Sequence, residues 1–303
     1  MRVVLLPVGP LLGPIICGPN STLYFRRQFA YENASEGPVT ALSTNGRSKT
    51  IDLKEGTGLL ERVIFSAFNV DANGNLYAIG NSSRDWAHSY LVAYDKGGQF
   101  VWKSSLNQPI HASFVLPLGN NRFLISGTLP QPAGQRLQSV TSLFDGGGNE
   151  LRSLKLPDDD SEQSADPQTG TFFNPTISLG DAKLGPDGNV YLFKASSVPR
   201  VIVMDTEGKT LRTLKLTPPA ENAQPEEFFI SRQWIAVAYL SAQGDRQVAN
   251  GDLALYNPET GVVLQMYHTP GGGILTAIED NALIYMGPTP DHRNYRLGRA
   301  PLT

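Results

Sequence analysis

The sequence predicts an all-β protein built from a unit of four strands that is repeated six times. Three observations lead to this prediction: a turn-rich composition, one turn sequence that recurs along the chain, and the spacing of its copies. Of the 303 residues, 30 are glycine and 22 are proline, which exceeds the roughly 12% that the two types make up in average proteins. Charged residues make up 17% and hydrophobic residues 40%, which excludes a disordered chain and a coiled coil.

Net charge and cysteine content exclude several classes of partner and site. The formal net charge of -3 offers no basic surface that would attract nucleic acid or anionic lipid. The one cysteine, Cys17, permits neither an intrachain disulfide nor a multi-thiolate metal site, and its apolar hairpin predicts an inert core position. No run of about 20 apolar residues is present, so we expect no membrane span.

The N-terminal residues 1–17 look at first like a secretory signal, with one early charge followed by an apolar run. Their prolines oppose a helical signal core, because each proline removes a helical hydrogen bond and clashes with the preceding turn. We therefore predict that this stretch is part of the fold. The polar, weakly charged composition suits an extracytoplasmic location, which we predict together with a monomeric state.

One turn sequence recurs along the chain and is followed each time by an apolar strand. Four copies are clear, at residues 17–25, 70–78, 184–192 and 278–285, and two are degenerate, at residues 118–125 and 230–237. The Asn-Gly and Asp-Gly pairs in these copies supply the positive φ angles that a tight hairpin needs. Each copy therefore predicts a β-hairpin.

A second hairpin follows each of the first five copies, for example at residues 90–102 and 201–214. The first turns lie near residues 20, 73, 120, 187, 232 and 280. Units of four strands with a period of roughly 45 residues are typical of β-propellers, in which each unit forms one blade. We predict a six-bladed β-propeller that takes up residues 1–303 as one domain, with strands A to D running outward in each antiparallel blade.

Residues 58–68 fit a second interpretation, because their apolar side chains also recur at helical spacing. The corresponding residues 113–118 and 274–278 contain β-branched side chains in the same register. Since β-branched residues favour strands, a strand is the preferred prediction.

Ring closure is predicted from an imbalance between the first and last copies. The sixth copy lacks one strand, and residues 2–7 have no partner in the first copy. We expect residues 2–7 to pair with residues 295–301 as the outer strand of the last blade. This pairing would close the ring and leave no open sheet edge between the first and last blades.

Two motifs resemble those of six-bladed propellers of the NHL and TolB-like kind, including bacterial members. They are the turn Asp71-Ala-Asn-Gly-Asn-Leu-Tyr77 and the hairpin Tyr94-Asp-Lys-Gly-Gly-Gln-Phe-Val101. The repeats cover nearly the whole chain. Members of this group include scaffolds, ligand-binding sensors and metal-dependent lactonases or lyases, so the resemblance implies the fold but no single reaction.

The two faces of the predicted disc differ in the residues they carry. The A–B and C–D turns share one face, which we call the turn face, and the B–C loops and D–A connections share the other, the loop face. The candidate ligand-binding residues all map to the loop face: Trp86, His88, His111, His268 and His292. Histidine titrates near neutral pH, and Trp86 offers a flat surface on which a sugar or an aromatic side chain could stack. The alternative is that these are scattered polar loop residues.

A ring of channel-facing residues is predicted by counting six residues back from each first turn: Pro14, Ala67, Phe114, Asp181, Glu226 and Ile274. Asp181 and Glu226 are carboxylates on adjacent blades, so they could hold a divalent cation such as Ca²⁺ between them. The alternative is a solvated channel in which both acids contact water or a nearby arginine. The ring lacks the further acidic, amide or imidazole ligands of a four-ligand lactonase site.

The remaining motifs favour binding over catalysis. The sequence contains no Gly-x-Ser-x-Gly elbow, no His-Glu-x-x-His motif and no phosphate-binding glycine loop. An acidic insertion at residues 157–175 predicts either a binding lid or a solvated loop. We predict a non-enzymatic propeller, a binding module or scaffold that recognises a peptide, glycan or partner protein on the loop face. The alternative is a metal-dependent hydrolase or lyase with a cation in the central channel.

Overall fold

The strands form six antiparallel sheets of four strands each, which confirms the predicted six-bladed all-β fold. The computed structural model describes residues 4–6, 11–27, 37–43, 45–59, 63–85, 87–130, 138–155, 182–195, 198–220, 223–243, 246–268, 274–279, 281–288 and 295–302. Within these ranges the only helical element is a 3-10 turn, Pro19–Ser21. No helix in this part of the chain is long and apolar enough to cross a membrane.

Blades 1 to 3 follow one another along the chain after a short first strand, β1 (Val4–Leu6). Blade 1 consists of β2 (Leu11–Cys17), β3 (Leu23–Arg27), β4 (Val39–Leu42) and β5 (Ser48–Ile51). Blade 2 consists of β6 (Val63–Val70), β7 (Leu76–Ser82), β8 (Ser89–Tyr94) and β9 (Phe100–Ser105). Blade 3 consists of β10 (His111–Gly119), β11 (Arg122–Leu129), β12 (Gln138–Asp145) and β13 (Glu150–Ser153). The start of β6 within residues 58–68 confirms the strand interpretation of that segment.

Blades 4 to 6 repeat the same order of strands. Blade 4 consists of β14 (Ala182–Leu184), β15 (Val190–Lys194), β16 (Arg200–Met204) and β17 (Thr210–Lys215). Blade 5 consists of β18 (Gln224–Ile230), β19 (Ile235–Gln243), β20 (Arg246–Tyr256) and β21 (Val263–His268). Blade 6 consists of β22 (Ile274–Glu279), β23 (Ala282–Pro288) and β24 (Tyr295–Pro301), with β1 as its fourth strand.

The recurrent turn forms the predicted hairpin between strands A and B. In blade 2, Gly74 has a φ of 87°, a left-handed conformation that glycine adopts without steric cost. The Asp71 carboxylate accepts hydrogen bonds from the backbone N–H groups of Asn73 and Asn75, at 2.8 and 2.9 Å. Gly188 takes the same conformation in blade 4, with a φ of 79°. The turns are therefore formed by local side-chain and backbone chemistry.

Each blade buries both of its faces against its neighbours. All four residues 201–204 of β16 are at most 1% exposed, although successive side chains of a strand point to opposite faces. Ile202 belongs to an apolar cluster that includes Leu143 of blade 3. Val203 belongs to another that includes Val237 of blade 5. The hydrophobic core thus lies between the blades and runs around the ring.

The innermost strand of several blades carries one extra residue, which leaves the regular ladder as a β-bulge. Register shifts place these residues in β6, β10, β18 and β22: Ser66, Ser113, Glu226 and Thr276. Opposite the bulge in β10, a Cβ on Gly127 would come within 2.7 Å of the Ala112 Cα, so this position requires glycine. A bulge bends its strand and redirects the side chains around it. The bulges therefore decide which side chains face the central channel.

The ring closes through the N-terminal strand, as predicted. Strand β1 pairs antiparallel with β24, with Val4 opposite Leu297 and Leu5 opposite Arg296. The outermost strand of blade 6 therefore comes from the opposite end of the described chain. This pairing holds blade 6 to the segment that enters blade 1.

We expect a disulfide to form between cysteines introduced at Leu5 and Arg296 in a Cys17→Ser background. These residues are opposite each other in the β1–β24 ladder, so cysteines there would point to the same face of the sheet. Because the bridge would close almost the whole chain into a loop, it should raise the unfolding temperature. Calorimetry with and without reductant measures this effect.

The control pairs cysteines at Leu5 and Leu297, which are out of register by one residue and point to opposite faces. This pair should remain reduced under the same oxidation conditions. Equal bridging in both pairs would contradict the β1–β24 register.

Candidate functional site: the turn-face cavity

The central channel contains a cavity that opens at the turn face. The innermost strands of the blades contact each other around the axis: β10 contacts β6 and β14, and β22 contacts β18 and β2. They enclose a cavity of about 900 Å³, whose outer rim is formed by the A–B turns. We call this space the turn-face cavity. All six blades contribute residues to its wall.

The deep part of the turn-face cavity has an apolar wall. Ala67 of β6, Phe114 of β10 and Ala182 of β14 line it, and each is at most 3% exposed because it also packs between blades. Phe229 of β18 adds an aromatic ring to the wall. Ala67 and Phe114 thus occupy the channel position that the sequence predicted for them.

Charged side chains from four blades stand at the rim of the cavity. Asp71 follows β6, Lys183 lies in β14, Arg232 follows β18 and Glu279 ends β22. Among the described residues that line the opening, two are cations and two are carboxylates. Hydrogen bonds define the positions of the two carboxylates.

Both carboxylates of the rim are held by neighbouring groups. Asp71 accepts four hydrogen bonds within its own hairpin, from the backbone of Asn73 and Asn75, the Asn75 side-chain amide and the Tyr77 hydroxyl. The Glu279 Oε2 atom accepts hydrogen bonds from Arg299 Nε at 2.9 Å and Nη2 at 2.8 Å. The Glu279 Oε1 atom lies 3.3 Å from the hydroxyl of Ser21. These contacts fix both carboxylates in place.

Lys183 lies beside the aromatic part of the wall. Its Nζ atom lies 4.8 Å from the ring centroid of Phe229 and 5.8 Å from that of Phe228. A cation over an aromatic face is attracted by the ring quadrupole. The lysine side chain is half-buried, so the blade 4 and blade 5 walls hold its charge beside the cavity.

Cys17 also lines the cavity, which corrects the expectation that it belongs to the core. The thiol is open to the cavity, while the surrounding walls still exclude enough water to disfavour its charged form. Burial, followed by the negative charge of Glu279, raises the pKa of Cys17 to about 11, and the positive charge of Lys183 opposes this shift. Because Lys183 belongs to blade 4 and Cys17 to blade 1, the lysine charge acts across the channel.

The sequence-predicted loop-face residues do not share one location in the described structure. His88 lies in the B–C loop of blade 2, where its ring stacks on Tyr90 at 4.7 Å and its Nε2 atom lies 2.8 Å from Ser105 Oγ. Ser105 ends the outermost strand of that blade, so His88 lies away from the channel. His111 begins β10, the innermost strand of blade 3, and His268 ends β21, the outermost strand of blade 5.

The other two predicted loop-face residues, Trp86 and His292, lie outside the described residues, as does the acidic insertion at residues 157–175. The three described histidines lie in a B–C loop or at the loop-face end of a strand. A ligand site formed by the five residues together stays a prediction.

Of the predicted cation pair Asp181 and Glu226, the structure describes Glu226. Asp181 lies outside the described residues, and Glu226 is the bulge residue of β18. Its neighbour Glu227, rather than Glu226, stands at the ladder position of Ala67 in blade 2. The A–B turn of blade 5, residues 231–234, is one residue shorter than that of blade 2. Counting six residues back from the blade 5 turn therefore ends one residue before the position that corresponds to Ala67.

Among the side chains that the structure describes, no group of three His, Cys, Asp or Glu residues is close enough to hold a metal ion. Asp181 is not among those side chains. A Ca²⁺ ion between Asp181 and Glu226 therefore stays a prediction.

Sequence reasoning missed the rim charges, although the repeat alignment contains a signal for Lys183. The residue directly before each aligned copy lines the cavity in all six blades: Ile16, Asn69, Pro117, Lys183, Phe229 and Ala277. Lys183 is the one charged residue in this column. The equivalent residues of the other five blades are apolar or carry an amide, so the lysine distinguishes the channel wall of blade 4 from the rest.

Fold and channel together define a six-bladed β-propeller. The chain is similar to a catalytically inactive virginiamycin B lyase variant from Staphylococcus aureus with quinupristin, at TM-score 0.50 and 8% identity over 98% of each chain. It is also similar to a gluconolactonase from Xanthomonas campestris, at TM-score 0.51 and 12% identity over 98% of this chain and 89% of that chain. At such identities the likeness shows the fold alone. No protein-family model and no curated protein matches the sequence.

We expect Cys17 to react slowly with iodoacetamide at neutral pH, because only the thiolate attacks and a pKa of about 11 leaves little of it. The rate should rise about tenfold per pH unit from pH 7 to pH 10. Glu279→Gln removes a negative charge that disfavours the thiolate, so it should speed alkylation. Lys183→Met removes a positive charge that favours it, so it should slow alkylation.

Mass spectrometry measures these rates without interference, because Cys17 is the one cysteine of the chain. Glu259→Gln, in an exposed C–D turn of blade 5, is the matched control and should leave the rate unchanged. If Glu279→Gln and Lys183→Met change the rate in the same direction, the two charges do not act on the thiol as described.

Proposed function

We propose that this protein is a binding module that recognises a peptide segment of a partner, which enters the turn-face cavity. The observation that carries the proposal is a cavity of about 900 Å³ with an apolar deep wall and a few fixed charges at its rim. Small-ligand and side-chain sites typically measure roughly 300 to 1,000 Å³ and combine an apolar lining with a few placed polar groups. The extracytoplasmic location and monomeric state expected from the sequence are retained in this proposal.

The titratable groups of the cavity favour binding over catalysis. Asp71 is engaged by its own hairpin and Glu279 by Arg299, so hydrogen-bond donors of the protein itself already occupy both carboxylates. The raised pKa of Cys17, about 11, leaves little thiolate for nucleophilic attack near neutral pH. An efficient acid, base or nucleophile has a pKa closer to the working pH.

The rigidity of the cavity wall also supports recognition. Its residues lie on the innermost strands of the blades, and inter-blade contacts hold those strands together. The Asn69 amide of β6 donates a hydrogen bond to the Val115 carbonyl oxygen of β10 at 3.0 Å. The Ser66 hydroxyl donates to the carbonyl oxygen of Ala112 at 2.8 Å. A preformed wall avoids the free-energy cost of ordering side chains when a ligand binds.

Of the partner classes that the sequence leaves open, a peptide fits the cavity better than a glycan does. Half-buried apolar side chains line the cavity, among them Ile16, Val70, Ile230 and Ile278, which suits an apolar side chain. Sugars present many hydroxyl groups, and burying them against such a wall without hydrogen bonds would cost free energy. A chain end or an apolar side chain that enters from the turn face avoids this cost.

A displayed random peptide library, selected on the immobilised protein, tests this proposal. We expect selected peptides to lose at least about tenfold in affinity for Ala72→Trp, because Ala72 is an exposed rim residue and tryptophan there would block the opening. Gln99→Trp places the same side chain on an exposed C–D turn of the same blade and should bind as the wild type does.

Biolayer interferometry measures these affinities. Peptides that bind Ala72→Trp and the wild type equally would contradict the turn-face cavity as the site. Failure to select any peptide in repeated rounds would contradict peptide recognition itself.

A further inference from the structure

We infer that the partner segment enters the turn-face cavity with aliphatic side chains, and that a ring of apolar residues, one from each blade, recognises them. The inference rests on the proposed peptide-binding function and adds the class of side chain that is recognised. Three observations carry it: the composition of this ring, the packing that holds its members, and the hydrogen bonds of polar side chains beside it.

The ring is formed by the first residue of each repeated turn sequence, and every member lines the cavity. Cys17 lies opposite Leu23 in the ladder between strands A and B, and the members in blades 2, 4, 5 and 6 have the equivalent place. In blade 3 the member is the bulge residue next to that place. We call this ring the aliphatic collar, because Cys17 is joined by five aliphatic residues: Val70, Leu118, Leu184, Ile230 and Ile278.

The aliphatic collar offers apolar surface on side chains that the blades hold in position. Leu184 is 37% exposed, and Val70, Ile230 and Ile278 are half-buried. Each of the last three packs against an apolar cluster between two blades. A ligand side chain that covers the exposed part removes apolar surface of both partners from water. Since the collar side chains are already packed, little of their freedom is lost on binding.

Two polar side chains of the cavity wall next to the collar already form hydrogen bonds within the protein. The Asn69 side chain donates to the Val115 carbonyl oxygen at 3.0 Å and accepts from the Val70 N–H at 2.8 Å. The Thr276 hydroxyl donates to the Ile284 carbonyl oxygen at 3.0 Å. A polar ligand group at the collar would give up water and find these side chains engaged, which costs free energy. An aliphatic group gives up no hydrogen bond there.

An aliphatic side chain also fits the collar better than an aromatic one. The aromatic residues that line the cavity, Phe68, Phe114 and Phe229, are at most 6% exposed. A ligand ring would therefore contact mainly aliphatic groups and gain little from the pairing of aromatic rings. Tyrosine and tryptophan would in addition bury a polar group that needs a partner.

The peptides selected on the immobilised protein test the inference. They should share a leucine, isoleucine, valine or methionine as the residue at which alanine lowers affinity most. Where this residue is leucine, its replacement by asparagine, which is similar in size but polar, should weaken binding at least about tenfold. Methionine there should change the affinity less than about threefold. Peptides that share an aromatic or charged residue in this role, or equal binding with leucine and asparagine, would overturn the inference.

Leu184→Asn tests the collar from the side of the protein. It should weaken binding at least about threefold, because it replaces exposed apolar surface by an amide. Leu211→Asn is the matched control, since Leu211 is 50% exposed in the outermost strand of the same blade, and it should bind as the wild type does. Equal affinities of the two variants would overturn the role of the collar. Circular dichroism on both variants confirms that a loss of binding does not come from unfolding.

Cys17 reports directly on a ligand in the collar, because its thiol is a member. Saturating peptide should slow the alkylation of Cys17 at pH 9, where more of the thiol is ionised than at pH 7, at least about threefold. Peptides that bind without slowing alkylation would overturn the inference. If the same peptides still fail to bind Ala72→Trp, the proposed binding function remains and only the role of the collar fails.

1-Hexanol distinguishes a peptide side chain from a free alkyl ligand, because it carries an aliphatic chain without a peptide backbone. It is added at increasing concentration in the same alkylation assay. Protection of Cys17 only at concentrations well above those of the peptide supports recognition of a peptide. Protection by 1-hexanol at concentrations equal to or below those of the peptide would identify a free alkyl ligand and overturn the peptide assignment.

Discussion

Closure of the six blades into a ring is the constraint on which the rest of this structure depends. Every blade has two apolar faces, as successive fully buried residues of β16 illustrate, and a single sheet cannot cover both. Only a neighbour on each side removes them from water. The pairing of β1 with β24 completes the last blade, and Leu23 and Phe25 of blade 1 cluster with Met286 of blade 6, so the first and last blades also cover each other.

The same closure creates the turn-face cavity. Six innermost strands that contact one another around an axis leave a space whose width depends on the number of blades and on the bulges in those strands. Short side chains such as Ala67, Ala182 and Ala277 line this space and keep it open. The cavity is therefore a product of the blade packing, and its chemistry depends on the few positions where a charge interrupts the apolar wall.

The titratable groups at the rim of the cavity are positioned and influenced by residues that lie far apart in sequence. Ser21 of blade 1 and Arg299 of blade 6 both donate to Glu279, so the joint between the first and last blades also fixes a rim carboxylate. Cys17 is influenced by charges from blades 4 and 6. Cys17 looks like a core residue in its own hairpin, but it lines a charged opening once the ring has closed.

The sequence by itself determined the strands, their turns, the number of blades and the closing strand. These features depend on local chemistry, such as the positive φ of Gly74 and the Asp71 cap, and on a period that can be counted. Tertiary structure alone decided which charged side chains meet in the channel. A shorter turn moved Glu227 into the position predicted for Glu226, and distant blades brought Lys183 and Cys17 to one cavity. These residues meet because distant segments pack together, and no local sequence pattern indicates such contacts.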